Sequence, residues 1–146
     1  MTEESPRQCW RTPRELFEAI DDRYGPITLD VAADKDNAVV PSFFDREMNA
    51  METPWVGGVA YCNPPYENIA AWVDRALIQV AEDRCRRVVM LLPSRTDQRW
   101  FHRVWRHPMC RIEFLAGRVQ FGPPPGIKRS SNREGSLVLV IERPLR

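Results

Sequence analysis

The chain has 146 residues, of which 43% are hydrophobic and 28% charged, and its formal net charge at pH 7 is +1. These values predict one globular domain over residues 1–146, with a real core but no room for a second domain. A net charge this close to zero excludes binding to nucleic acid through net charge alone. No apolar run approaches the roughly 20 residues that cross a bilayer, and the first residues lack the pattern of a secretory signal, so we expect a cytoplasmic protein without membrane contact.

Residue types that ligate metals are sparse and scattered. The four cysteines stand singly, without a Cys-x-x-Cys pair, and neither of the two histidines has a second ligand at useful spacing. This inventory favours reduced thiols that act as small hydrophobic side chains. We therefore expect no metal site.

The first predicted elements are a helix and a short strand. Thr12 and Glu15 form a Thr-x-x-Glu capping box around Pro13, and Gly25 ends the helix. Residues 27–31 predict a strand that contains Asp30, followed by two alanines where related folds place a glycine-rich turn. A carboxylate in an apolar strand is costly unless it is paired, so Asp30 serves a ligand, a neighbouring backbone donor or a local turn.

Residues 34–49 are irregular, and the second strand of the fold is hard to place within them. Residues 38–40 and 42–44 are the two candidates. In open α/β folds that bind nucleotides, an acid after the second strand holds the ribose hydroxyls. Asp45 is our assignment for that acid, with Asp36 and Glu47 as alternatives.

The chain is organised around Asn63, Pro64, Pro65 and Tyr66, the Asn-Pro-Pro-Tyr loop, which follows an apolar strand predicted over residues 58–62. The two prolines remove backbone donors and fix the local dihedral angles, so the loop should be rigid. Open α/β sheets bind ligands where their strands end. There, an amide oxygen and free carbonyls can accept hydrogen bonds from an amino group, while the tyrosine stacks on its ring. A helix with apolar residues from 69 to 80 follows.

The second half of the chain is richer in basic residues. Residues 87–92 predict a buried strand, and Arg95 comes just after it, where it could hold a phosphate. Thr96 or Asp97 should cap a helix that runs through Trp105. Residues 110–115 and 117–121 predict strands or a hairpin, residues 122–133 a basic loop, and residues 137–141 a last strand. The alternation of strands and helices predicts a single α/β domain with a central, mostly parallel sheet.

Taken together, the motifs resemble the phage-type DNA N6-adenine methyltransferase (Dam) family over most of the chain, from about residue 10 to residue 141. The resemblance rests on five blocks in the order of the family: Trp-Arg-Thr-Pro at 10–13, Leu-Asp-Val-Ala-Ala at 29–33, Asn-Pro-Pro-Tyr at 63–66, Leu-Leu-Pro-Ser-Arg-Thr at 91–96 and Gly-Arg-Val at 117–119 with Phe121. The missing glycine turn after residue 31 is a departure from related methyltransferase folds.

This resemblance implies a Rossmann-like, S-adenosylmethionine-dependent methyltransferase. It would move a methyl group to the N6 amino group of a flipped adenine in double-stranded DNA, and the Asn-Pro-Pro-Tyr loop would be catalytic. The residues implied around the cofactor are Trp10, Thr12, Pro13, Asp30, Ala32, Asp45 and Asn63. The basic residues expected to contact DNA are Arg95, Arg118, Lys128 and Arg129.

Two alternatives stay open from the sequence. One is another amino-group methyltransferase, acting on RNA or on protein glutamine, and the other is a catalytically weak DNA-binding module of the same fold. We expect no separate target-recognition domain, so target specificity would come from residues 34–49, from residues 122–133 or from a dimer, or it would be low.

Overall fold

Continuous apolar runs form the centre of the sheet, because strands covered on both faces need no alternation of polar residues. The structure, a computed structural model, describes residues 10–123, 126, 128 and 132–144. Its elements, in chain order, are α1 (Arg14–Tyr24), β1 (Leu29–Asp30), β2 (Gly57–Cys62), a 3-10 turn (Tyr66–Asn68), α2 (Ile69–Ala81), β3 (Cys85–Pro93), α3 (Arg99–Trp105), β4 (Cys110–Phe114) and β5 (Ser136–Glu142). None of the helices in these residues is long and apolar enough to cross a membrane.

The strands form one five-stranded sheet in the order β1-β2-β3-β5-β4. β1 pairs parallel with β2 and β2 with β3, while β5 is antiparallel to both β3 and β4. Four strands therefore run in one direction and β5 runs against them, which confirms the predicted mostly parallel α/β sheet. β5 inserts between two strands that precede it in the chain.

Side-chain alternation along β2 divides the core into two layers. Val59 and Tyr61 face the layer that contains Ile20 of α1, whereas Ala60 and Cys62 face the layer of α2 and α3. All four are at most 1% exposed. Helices on both faces thus cover the sheet and leave its strand ends as the accessible edge.

The predictions for β2, β3, β4 and β5 are confirmed to within about two residues at their ends. β1 is shorter than predicted, although the N–H groups of Thr28 and Val31 extend its pairing by donating to the carbonyls of Val59 and Tyr61. Neither candidate for the second strand forms a strand. Residues 42–44 instead lie beside β1 through a single bridge between Asp30 and Phe43.

Both predicted helix caps are wrong. α1 begins after Pro13 with no side-chain cap, because the Thr12 hydroxyl lies 2.6 Å from the buried Tyr61 hydroxyl instead. α3 begins after Gln98, also without a side-chain cap from Thr96 or Asp97. A buried phenol needs a hydrogen-bond partner more than an exposed helix end, whose N–H groups water can satisfy.

The strand or hairpin predicted over residues 117–121 is also wrong, since these residues form a bend and an irregular segment. Gly117 has a φ of +76°, which ends the pairing of the β4 region with β5. The segment that follows pairs elsewhere: Gly122 and Arg11 exchange both backbone hydrogen bonds, at 2.7 and 2.9 Å. This bridge holds the residues before α1 against the late part of the chain.

Candidate active site

The carboxyl ends of β1, β2 and β3 meet at one edge of the sheet, which we call the carboxyl edge. Asp30 ends β1, Asn63 follows β2 and Ser94 follows β3. Because β5 runs antiparallel, its beginning lies at the same edge, and the Ser94 N–H donates to the Gly135 carbonyl at 2.9 Å. The topology therefore brings together segments as far apart in sequence as Asp30 and Gly135.

The Asn-Pro-Pro-Tyr loop leaves β2 at this edge as an extended segment. Pro65 has a φ of −59° and a ψ of 136°, and the 3-10 turn begins directly after it. Pro64 is buried, while Asn63, Pro65 and Tyr66 are half-buried. The loop is thus anchored at its centre and presents its polar and aromatic side chains at the strand end, as predicted from the prolines.

Asn63 is tied to the segment before α1. Its Nδ2 donates to the Thr12 Oγ1 at 3.5 Å, and the Thr12 Oγ1 lies 2.6 Å from the Tyr61 hydroxyl. Of the other predicted residues in this segment, Pro13 is half-buried next to Thr12. Trp10 is half-buried as well, and its Nε1 is buried without a hydrogen-bond partner among the described residues.

Tyr66 lies beneath a guanidinium group. The Arg95 Cζ is 5.3 Å from the centroid of the Tyr66 ring, in cation–π range. The same guanidinium donates from Nε and Nη2 to the two Glu134 carboxylate oxygens, at 2.7 and 3.0 Å. This pair raises the pKa of Arg95 above its ordinary value. Arg95, predicted as a phosphate contact, is thus already matched with a carboxylate.

A cavity of about 400 Å³ opens beside the loop at the end of β1. Its walls come from residues 31–34, from residues 44–47, 49 and 50, and from Pro65 and Trp72. Trp55 supports this wall from behind, since its indole N–H donates to the Ala50 carbonyl at 2.8 Å and its ring lies 6.4 Å from that of Trp72. Trp72 belongs to the apolar stretch predicted for α2 and also borders the cavity.

Of the three acids considered for a ribose, Asp45 and Glu47 line this cavity and Asp36 does not. Asp45 follows Phe44, whose N–H donates to the Asp30 carbonyl at 2.8 Å beside β1. It therefore stands at the end of the segment that takes the place of a second strand. Its Oδ1 accepts the Met48 N–H at 3.0 Å. Ala32, also predicted near the cofactor, lines the same cavity.

Asp30 is 3% exposed and holds the turn after β1. Its Oδ1 accepts the Ala32 N–H at 3.2 Å and its Oδ2 accepts the Val39 N–H at 3.1 Å. Burial is the main cause that raises the pKa of Asp30 to about 6, and the two backbone donors act in the opposite direction. Asp30 thus stabilises the backbone of this turn, and its contact with a cofactor stays a prediction.

The predicted DNA-contacting residues lie at different places. Arg118 is exposed. Its Nη1 and the Ser94 Oγ both lie beside Gly135 at the carboxyl edge, each 3.5 Å from the position that a side-chain Cβ would take at this glycine. Lys128 is exposed, and Arg129 lies outside the described residues. The sequence analysis did not identify Glu134 or Tyr61 as residues of the site. For Tyr61 a signal was present, because a phenol in an otherwise apolar strand needs a buried polar partner.

A mostly parallel sheet with one reversed strand and polar residues at the strand ends defines a Rossmann-like methyltransferase fold. A solved structure of a proposed RNA methyltransferase from Pyrococcus horikoshii superposes with a TM-score of 0.61 at 12% identity, covering 98% of this chain and 91% of that one. At that identity the similarity shows the fold alone.

Sequence comparison gives the family. The model of the DNA N-6-adenine-methyltransferase (Dam) family matches residues 1–146. The chain is 33% identical over 101 residues to the DNA N-6-adenine-methyltransferase of Escherichia phage T1, a match that covers 68% of this chain and 42% of the phage protein. It is 27% identical over 143 residues to the protein of the same name from Haemophilus phage HP1, covering 97% of this chain and 82% of that protein. The chain belongs to the DNA N-6-adenine-methyltransferase (Dam) family.

Proposed function

We propose that this chain transfers a methyl group from S-adenosylmethionine to the N6 amino group of adenine in double-stranded DNA, and that the Asn-Pro-Pro-Tyr loop carries the reaction. The observation that supports this most is the position of the loop. It lies at the carboxyl edge, with Pro65 in the wall of the cavity and Tyr66 beneath Arg95. The cavity would then take the cofactor and the aromatic face of Tyr66 the target base, with Asn63 in the same loop.

The residues around the cavity fit S-adenosylmethionine. Its volume of about 400 Å³ is within the range of small-molecule sites. Asp45 would hold the ribose hydroxyls, and Ala32 lets the ligand approach the chain closely. By resemblance to the family, Asp30 and the segment of Trp10, Thr12 and Pro13 would lie near the amino-acid end of the cofactor. When bound, the cofactor supplies the electrophilic methyl group.

Catalysis requires that the adenine amino nitrogen become a nucleophile, because its lone pair is delocalised into the ring. The Asn63 Oδ1 and the Pro64 carbonyl would accept hydrogen bonds from the two amino N–H groups, which favours a tetrahedral nitrogen and frees its lone pair. The rigid loop supplies the orientation, which accounts for much of the rate in such reactions. No strong base is needed to begin the transfer.

The target base must leave the duplex to reach this loop. Tyr66 would then stack on it, and such contacts are each worth about 1–3 kcal/mol. Arg118 and Lys128 are exposed and suit contacts with the DNA backbone, as does Arg129 by sequence. We infer that target preference comes chiefly from the basic segment of residues 122–133, since most of residues 44–50 already line the cavity.

The test is incorporation of tritiated methyl from S-adenosylmethionine into DNA that lacks N6-methyladenine, followed by nucleoside analysis. We expect label in N6-methyl-2′-deoxyadenosine and its loss in Asn63→Ala, with cofactor affinity unchanged within a few-fold. Asn68→Ala is the matched control, because Asn68 is exposed and its side chain makes no cap hydrogen bond. Label in RNA or protein instead would refute the substrate, and full activity of Asn63→Ala would remove Asn63 from catalysis.

A further inference from the structure

Three polar groups form a chain that ends at the proposed catalytic amide. The Tyr61 hydroxyl lies 2.6 Å from the Thr12 Oγ1, which accepts a hydrogen bond from the Asn63 Nδ2 at 3.5 Å. Tyr61 and Thr12 are 1% and 5% exposed. The three residues come from β2, from the segment before α1 and from the Asn-Pro-Pro-Tyr loop.

Both supporting groups are held in place by their surroundings. Burial raises the pKa of Tyr61 well above its ordinary value, so the phenol keeps its proton. The Phe17 ring packs edge-on against it at 6.0 Å between centroids. Thr12 is fixed by its neighbours in sequence, because Arg11 exchanges two backbone hydrogen bonds with Gly122 and α1 begins directly after Pro13.

The two ends of an amide are not equivalent, and the reaction needs the oxygen end. With Nδ2 directed at Thr12, the Oδ1 is the end that can accept a hydrogen bond from the adenine amino group. The Thr12 hydroxyl has one proton to donate. Its oxygen has two lone pairs, so it can accept from the Asn63 Nδ2 while it stays paired with the Tyr61 hydroxyl.

We propose that Thr12 and Tyr61 are positioning residues that orient the Asn63 amide: the Tyr61 hydroxyl holds the Thr12 hydroxyl in place, and the Thr12 Oγ1 accepts from the Asn63 Nδ2. This inference rests on the proposed function of Asn63. It differs from the role implied by family resemblance, in which Thr12 lies near the cofactor carboxylate. The two roles predict different kinetics: a positioning role lowers kcat, while a cofactor contact weakens cofactor affinity.

The experiment compares Thr12→Val, which keeps the shape but loses the hydroxyl, with Thr12→Ser, which keeps the hydroxyl, and with Tyr61→Phe. We expect Thr12→Val and Tyr61→Phe each to lower kcat by about fivefold or more, the effect of one lost hydrogen bond. The calorimetric affinity for S-adenosylhomocysteine should stay within about twofold, and Thr12→Ser should restore kcat. Tyr24→Phe is the matched control, since Tyr24 donates its phenol proton to Glu113, at 2.8 Å, and belongs to α1.

A second readout does not depend on activity. The side-chain amide protons of Asn63 should shift upfield and exchange faster in Thr12→Val and Tyr61→Phe, but not in Tyr24→Phe, when followed by nuclear magnetic resonance. A loss of cofactor affinity alone in Thr12→Val, or wild-type kcat and Asn63 signals in Tyr61→Phe, would overturn the positioning role. A chain that methylates RNA instead of DNA would refute the proposed function, whereas the Asn63 signals would still decide this inference.

Discussion

The buried carboxylate of Asp30 should make the stability of the fold depend on pH, and Asp30→Asn should remove that dependence. Asp30 is 3% exposed, and each of its oxygens accepts one backbone N–H, from Ala32 and from Val39. Burial raises its pKa from the ordinary 3.8 to about 6. The folded chain therefore holds this proton more tightly than the unfolded chain does.

The direction of the effect follows from the two pKa values. Below pH 3.8 Asp30 is protonated in both states, and its full contribution to stability is present. Between pH 3.8 and 6 the unfolded chain ionises first, so the free energy of unfolding falls, and above pH 6 the loss is complete. A difference of about two pKa units at 1.36 kcal/mol each gives a loss of about 3 kcal/mol from this one group.

Urea unfolding followed by tryptophan fluorescence, from pH 4 to pH 7.5, would measure the difference between the two proteins. Asp30→Asn loses one acceptor oxygen, which costs about 1–3 kcal/mol at every pH, so the slopes are compared and not the absolute values. The stability of the wild type should fall more steeply than that of Asp30→Asn. Asp22→Asn, which removes an exposed carboxylate of α1, should keep the wild-type slope. Parallel curves for wild type and Asp30→Asn would refute the reasoning.

Two further predictions concern ligand contacts. Asp45→Asn should weaken the affinity for S-adenosylhomocysteine, measured by calorimetry, by about tenfold or more, because it loses a charge-assisted hydrogen bond. Glu47→Gln in the same cavity should change this affinity little. If Glu47→Gln has the larger effect, the ribose contact belongs to Glu47. Glu134→Gln should weaken DNA binding at unchanged cofactor affinity, because it releases Arg95 from its place over Tyr66. Stronger DNA binding would instead mean that the freed Arg95 contacts phosphate.

The sequence predicted the elements whose formation depends on local pattern. The apolar runs of β3 and β5 are continuous and rich in valine, which is typical of buried strands, and Gly25 ends α1 where expected. Errors arose where a distant partner decides the outcome. The local sequence predicts that the Thr12 hydroxyl caps α1, but this hydroxyl instead lies beside the buried phenol of Tyr61, which is 49 residues away.

In the site, too, features that depend on neighbouring residues could be predicted, and features that depend on distant residues could not. The Asn-Pro-Pro-Tyr loop could be placed at a strand end because its prolines act locally. The pairing of Arg95 with Glu134 could not be predicted, since it spans 39 residues and requires β5 to run backwards through the sheet. The second strand could not be placed from the sequence because neither candidate forms one, and residues 42–44 join β1 through only one bridge.

The insertion of β5 between β3 and β4 has a consequence for how the protein is made. β3 pairs with β5 over seven positions, from Arg87 with Glu142 to Pro93 with Ser136. Until the ribosome has released β5, the strand at the centre of the finished sheet has an open, apolar edge. Such long-range pairing is slow, so nascent or truncated chains should be prone to aggregation, and chaperones that shield strand edges should improve the yield.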